Sequence, residues 1–215
     1  MNERSISFLH KSRYFETGNP ETAKELWIVL HGHGQLAQYF IKKFQDLDPD
    51  QYYIVAPEGL SRYYLSGYSG RVGATWMTKE DRLSDIENYV NYLNVVYHEV
   101  VSKLKENVKI TFLGFSQGTA TVSRWIAQSE VKADRLILWS GIFPDDMKPE
   151  YTKKRYDEIE IINVYGEKDE FLTPLHFDDQ QKIIKEIGIT LITIVFDGNH
   201  IIHKQTLMKI ATNSY

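Results

Sequence analysis

Six short runs of aliphatic and aromatic residues, each set between helical patterns, constrain this fold more than any other feature of the chain. They read "ELWIVL" at 25–30, "YYIVAP" at 52–57, "KITFLG" at 109–114, "RLILWSG" at 135–141, "IEIINVYG" at 159–166 and "ITLITIVFDG" at 189–198. Several are nearly unbroken in Ile, Val and Leu, as parallel strands covered on both faces are. Between them Leu83, Ile86, Val90, Leu93, Tyr97, Val101 and Leu104 recur every three or four residues, which predicts an amphipathic helix. A second helix is expected over 174–187, with Pro174 in its first turn and Phe177, Ile184 and Ile187 inward, and a third after His200. Residues 5–17 are expected to form an antiparallel edge hairpin. No repeat, low-complexity tract or linker interrupts the pattern. The expectation is one α/β domain over residues 1–215, built on a mostly parallel sheet.

Bulk properties narrow the partners. A formal net charge of -4 over 215 residues offers nothing to nucleic acid or an anionic membrane. No apolar stretch approaches the roughly 18 residues that span a bilayer. The opening "MNERSISFLH" has no apolar core followed by a cleavage site, and a cytoplasmic location is expected. With no cysteine there is neither a disulfide framework nor a thiol nucleophile. Seven histidines are present, but none has the spacing of a metal-ligand pair on a helix, so neither metal nor cofactor is expected.

One junction carries chemistry. "KITFLGFSQGTATVSRWIA", 109–127, passes from strand to helix at Ser116, which is flanked by Gly114 and Gly118. Ligands of such sheets bind beyond the carboxyl ends of the strands, and Ser116 stands at one. The glycines allow a tight turn and a close strand–helix approach, so the hydroxyl is held outward as in a nucleophile elbow, G-x-S-x-G. The helix N-terminus also favours negative charge developing nearby. A plainer role for Ser116 is to cap the helix.

A serine needs a histidine to take its proton and a carboxylate to orient that histidine. On this architecture the order is Ser, acid, His, each past a strand. "VYGEKDEFLTP" places Asp169 past one strand, and "VFDGNHIIH" places His200 past the last. Competing acids are Asp145 and Asp146 in "SGIFPDDM" and Glu167, read as a turn residue. The competing histidine is His203, one helical turn on.

"VLHGHG", "GFSQG", "GEKDEFLTP" and "DGNH", in that order, make the chain from about residue 24 onward resemble the carboxylesterase/acyl-protein thioesterase branch of the α/β-hydrolase superfamily. The resemblance implies an α/β-hydrolase fold with helices on both faces and no separate cap domain. It implies Ser116 as nucleophile, Asp169 as acid and His200 as base. It further implies that the backbone amides of His33 and Gln117 donate to the oxyanion, whose charge exists only in the tetrahedral state. The chain departs from the branch at Gln35, where an acidic residue is common, at Thr119, where glycine is, and at His33, where the side chain is often aliphatic. His31 has two readings, a catalytic one and a structural one in which its imidazole is hydrogen-bonded beneath the oxyanion loop.

The segment "PEGLSRYYLSGYSGRVGATWMTK", 57–79, is long for a connection and rich in glycine and aromatics. Tyr63, Tyr64, Tyr68 and Trp76 are candidates for a substrate-binding wall, with Phe143 in the segment after Gly141 a further one; Trp76 has a second reading as a core anchor. The implied substrate is a small ester or thioester, handled by a monomer or homodimer. A peptidase or lactonase would use the same three residues, and a non-catalytic binding protein could use the same fold.

Overall fold

A computed structural model describes residues 2–147 and 149–215. In chain order the strands are β1 (Tyr14–Thr17), β2 (Glu25–Leu30), β3 (Tyr52–Pro57), β4 (Ser61–Tyr64), β5 (Val72–Thr75), β6 (Lys109–Phe115), β7 (Arg135–Trp139), β8 (Glu160–Gly166) and β9 (Ile192–Phe196). The helices are α1 (Ala37–Phe40), α2 (Arg82–Val101), α3 (Gln117–Gln128), α4 (Pro149–Tyr156), α5 (Pro174–Ile187) and α6 (Lys204–Ala211), with a 3₁₀ turn at Ile41–Phe44. Seven strands form one sheet in the order β1-β3-β2-β6-β7-β8-β9, parallel except for β1, which runs antiparallel to β3. This is an α/β-hydrolase fold with no separate cap domain.

The unbroken apolar runs follow from two-sided cover. Successive residues of a strand point to opposite faces, and here each face meets helices. Leu26, Ile28 and Leu30 of β2 join Ile110 and Phe112 of β6 under α2 and α3, packed on Tyr89, Leu93, Val122 and Trp125. Trp27 and Val29 turn the other way with Leu113, Ile137 and Trp139, onto Phe40, Phe44, Leu207 and Ile210 from α1, the 3₁₀ turn and α6. At the edge the rule relaxes. Ile192 and Val195 of β9 are solvent-exposed, although the run resembled the central strands in sequence. The α2 pattern holds in its middle, but Leu83 faces solvent in the first turn.

Two expectations are corrected. Residues 5–17 supply a single edge strand, β1, and no hairpin. No Gly, Pro or Asn lies between residues 5 and 13 to turn the chain back. The segment 57–79 is not an irregular loop. Ser61 to Tyr64 pair antiparallel with Thr75 to Val72, making a separate two-stranded hairpin. Its tip turns at Gly67 and Gly70, both with positive φ (61° and 87°), a conformation that glycine adopts without strain.

Candidate active site

Ser116 joins β6 to α3 with φ 53° and ψ -118°, a region that a residue with a β-carbon enters only under strain. The surroundings over-determine it. Its N–H donates to Trp139 O at 2.9 Å, tying the elbow to β7. A β-carbon on Gly114 would meet the Gly118 carbonyl oxygen at 2.4 Å, and one on Gly118 would meet the Leu30 oxygen at 2.3 Å. Glycine at both places is what allows strand and helix to close on each other. The Ser116 hydroxyl makes no capping hydrogen bond to α3, so the capping role does not account for it.

The carboxyl ends of β8 and β9 bring the acid and the imidazole together. His200 Nδ1 lies 2.8 Å from Asp169 Oδ2 and 3.0 Å from Oδ1, and the Asp169 side chain is almost fully buried. Asp169 Oδ1 also accepts from Phe171 N–H at 3.0 Å, which fixes the carboxylate in a local turn. An Nδ1–H donated to a carboxylate leaves Nε2 as the free basic nitrogen. The His200 ring packs between Phe115, the neighbour of Ser116, at 4.8 Å between centroids, and Phe171 at 4.7 Å. Among the described residues, Ser116 and His200 share no hydrogen bond, and the neighbour of Ser116 is what touches the imidazole.

Two of the competing residues, Asp146 and His203, are engaged elsewhere, and Asp145 is exposed. Asp146 pairs with Arg124 at 2.9 Å and Arg82 at 2.7 Å. His203 stacks on Phe196 and reaches Thr206 Oγ1 at 2.9 Å, at the start of α6. Glu167 is an exposed turn residue beside Lys168.

Past β2, residues 31–35 run against the elbow: a β-carbon on Gly32 would lie 3.1 Å from that of Ser116. His31 braces this segment from below. Its Nε2 accepts from Gly59 N–H at 3.0 Å, so Nδ1 carries the proton and donates to Gly32 O at 2.8 Å. Burial pushes its pKa down to about 4, which keeps the ring neutral. Trp76 lies against that ring at 5.1 Å and donates Nε1–H to His31 O at 2.9 Å. Gly32 N–H in turn donates to Gln35 Oε1 at 2.9 Å. Among the described residues the backbone N–H groups of His33 and Gln117 have no protein acceptor, on the two segments that flank Ser116.

The candidate wall residues separate. Trp76 is buried and serves as the core anchor, and Phe143 is fully buried against Tyr156. Tyr68, at the hairpin tip, is 96% exposed, and Tyr64 is also exposed. Of the three tyrosines, Tyr63 has its hydroxyl 2.6 Å from His33 Nε2, on the segment beside the elbow. Sequence reading passed over two contributors. Phe171 covers one face of His200 while remaining 60% exposed, and only its position two residues past Asp169 hinted at it. Thr75 contacts both His33 and Gln117, and nothing in "GATWM" sets it apart.

Comparison with known proteins agrees with this fold. Residues 15–214 match the family model described as Phospholipase/Carboxylesterase. Acyl-protein thioesterase 2 of Zea mays superposes with a TM-score of 0.73 at 16% identity, over 94% of this chain and 97% of the other. A phospholipase/carboxylesterase from Dyadobacter fermentans gives 0.68 at 18% identity, over 98% and 99%. The Bacillus cereus carboxylesterase gives 0.67 at 12%, over 94% and 93%. At such identities the likeness establishes the fold. No curated protein matches the chain in sequence.

Proposed function

The chain belongs to the phospholipase/carboxylesterase family, and on that premise we propose that it is a serine hydrolase cleaving carboxylic esters or thioesters through an acyl-enzyme. The observation that carries this reading is the buried Asp169 holding His200 Nδ1 beside a serine whose strained backbone has no structural use for its hydroxyl.

The chemistry follows from the tautomer. His200 Nε2 takes the Ser116 proton as Oγ adds to the substrate carbonyl, and the carbonyl oxygen becomes an oxyanion facing the His33 and Gln117 amides. Asp169 stabilises the imidazolium without taking its proton. Collapse breaks the bond to the alcohol or thiol, which leaves with the proton from Nε2. Water then gives its proton to His200 and adds to the acyl carbonyl. Collapse of that second oxyanion returns Ser116 and releases the acid. The Ser116–His200 hydrogen bond forms in the Michaelis complex, where catalytic hydrogen bonds commonly tighten.

A fluorophosphonate probe tests this directly. Wild type should be labelled and should hydrolyse p-nitrophenyl esters or acyl thioesters, while Ser116→Ala should stay unlabelled and lose turnover by several orders of magnitude. Asp169→Asn should lower turnover by about 10³ to 10⁴, whereas Asp146→Asn should leave it near wild type. A folded Ser116→Ala protein with wild-type turnover would exclude the mechanism, and a binding module on this fold would remain unlabelled throughout.

A further inference from the structure

Two oxyanion amides are useful only if their spacing is held, and here they belong to segments 84 positions apart in the chain, at His33 and Gln117. Resting on the serine-hydrolase reading, we propose that Thr75 is a positioning residue that ties these segments together, with His33 and Tyr63 extending the tie to the mouth of the site.

The hairpin strand β5 lies between the two segments and is bonded to each. On one side Gly34 N–H donates to Ala74 O at 2.9 Å and Ala74 N–H to Gln35 O at 3.0 Å. On the other the Gln117 side chain grips the strand's continuation: Oε1 accepts from Trp76 N–H at 3.2 Å, and Nε2 donates to Met77 O at 2.8 Å. The hydroxyl of Thr75 touches both segments. It lies 3.0 Å from Gln117 Oε1, 2.9 Å from Met77 O and 3.2 Å from His33 Nδ1.

Proton counting orders the chain. The single Thr75 proton goes to an oxygen, Met77 O or Gln117 Oε1, so Oγ1 accepts from His33 Nδ1–H. In the neutral ring, that tautomer leaves Nε2 to accept from the Tyr63 hydroxyl at 2.6 Å. The bonds run inward as phenol, imidazole, hydroxyl, carbonyl, and the His33 and Tyr63 rings pack at 5.5 Å between centroids. Thr75 is buried, so its hydroxyl has no water to replace a lost partner. This also assigns a use to the His33 side chain: it joins the backbone that carries one amide to the strand held by the Gln117 side chain.

Thr75 touches neither substrate nor the reacting atoms, so its effect must appear where the oxyanion forms. Acylation and deacylation both pass through an oxyanion. Thr75→Val keeps the shape and removes the hydroxyl. It should lower kcat for p-nitrophenyl acetate about tenfold, less than the loss of an oxyanion donor itself, with KM within about twofold. It should weaken inhibition by a phenylboronic acid, which forms a tetrahedral adduct on serine, by about the same factor. Thr75→Ser should restore both, and Tyr63→Phe should shift both the same way by about two- to fivefold.

Unchanged kcat and boronic-acid affinity in folded Thr75→Val would overturn the proposal. So would a change in KM alone, or failure of Thr75→Ser to rescue. If Thr75→Val does not fold, Tyr63→Phe decides, because its hydroxyl lies at the exposed end of the chain of bonds: wild-type kcat and boronic-acid affinity there would overturn it too. The two readings fail separately. Wild type that neither labels nor hydrolyses any ester or thioester removes the serine-hydrolase reading, whereas active wild type with indifferent variants removes only the role of Thr75.

Discussion

His31 shows at the scale of one residue how a buried titratable group supports the site without entering its chemistry. Its neutral ring is required by both of its bonds, one accepted at Nε2 and one donated from Nδ1. An unfolded histidine titrates near 6.5, and burial lowers the folded value to about 4. Between these values the unfolded chain binds the extra proton, so stability is fully present above about pH 6.5 and is lost as pH falls toward 4. The share lost between pH 7.5 and 5 is about 2 kcal/mol. His31→Gln keeps a donor and an acceptor but does not titrate. Urea unfolding should therefore show wild type ahead of His31→Gln at pH 7.5, with the gap shrinking as pH falls to 5. A gap that stays constant would mean that the buried ring is not the titrating group. The placement of Ser116, Asp169 and His200 was legible in sequence for a related reason: each stands shortly past a strand, where the chain has little freedom to place it elsewhere. The aromatic side chains of 57–79 were not. Composition cannot tell which ring turns inward, and Trp76 went to the core while Tyr68 went to solvent.

At the scale of elements, the hairpin of β4 and β5 is a separate sheet whose position is set by backbone contact. A β-carbon on Gly73 would lie 2.4 Å from Gly34 O and 2.7 Å from Gly34 Cα, so β5 and the segment bearing His33 touch main chain to main chain. Gly67 at the tip has open space around it. Gly73→Ala should push the two apart and lower kcat/KM by roughly ten- to a hundredfold, since small misplacements near reacting groups are costly. Gly67→Asn, which suits positive φ, should stay within about twofold of wild type. Ester kinetics on both folded variants make the comparison, and equal activity would show that hairpin position does not matter to the site. The sequence announced flexibility here through its glycines, but it did not distinguish Gly73, present for closeness, from Gly67, present for φ. That difference depends on which backbone lies opposite, a fact of tertiary structure. The helices at 82–101 and 174–187 were readable for the opposite reason, because their periodicity is local.

Across the whole molecule the sheet divides its labour between the two ends of its strands. The carboxyl ends of β2, β6, β8 and β9 lead to His33, Ser116, Asp169 and His200. The starts of the same sheet gather a different polar set around Arg135, the first residue of β7. Its Nε–H donates to Glu160 Oε2 at 2.5 Å, a further N–H points to Ile210 O at 3.4 Å, another meets the Asn213 side chain, and Glu25 lies 3.8 Å away. Glu25 also accepts from Thr111. Arg135 is almost wholly buried, and through Ile210 and Asn213 it fastens the end of α6 and the residues after it to the sheet. Deleting one partner of a fully buried pair typically costs about 3–5 kcal/mol. Here the cost falls below that range, because Glu160 is a third exposed and keeps Lys109, and the loss is felt mainly at the nearly buried Glu25. Arg135→Met should therefore lower the urea midpoint and Tm markedly. The strands between this cluster and the site are rigid and packed on both faces, so the folded variant should keep kcat/KM within about twofold of wild type at a temperature well below its melting transition. If kcat/KM falls tenfold or more in protein shown to be folded, the two ends are coupled through the sheet, and stability cannot be separated from chemistry along these strands.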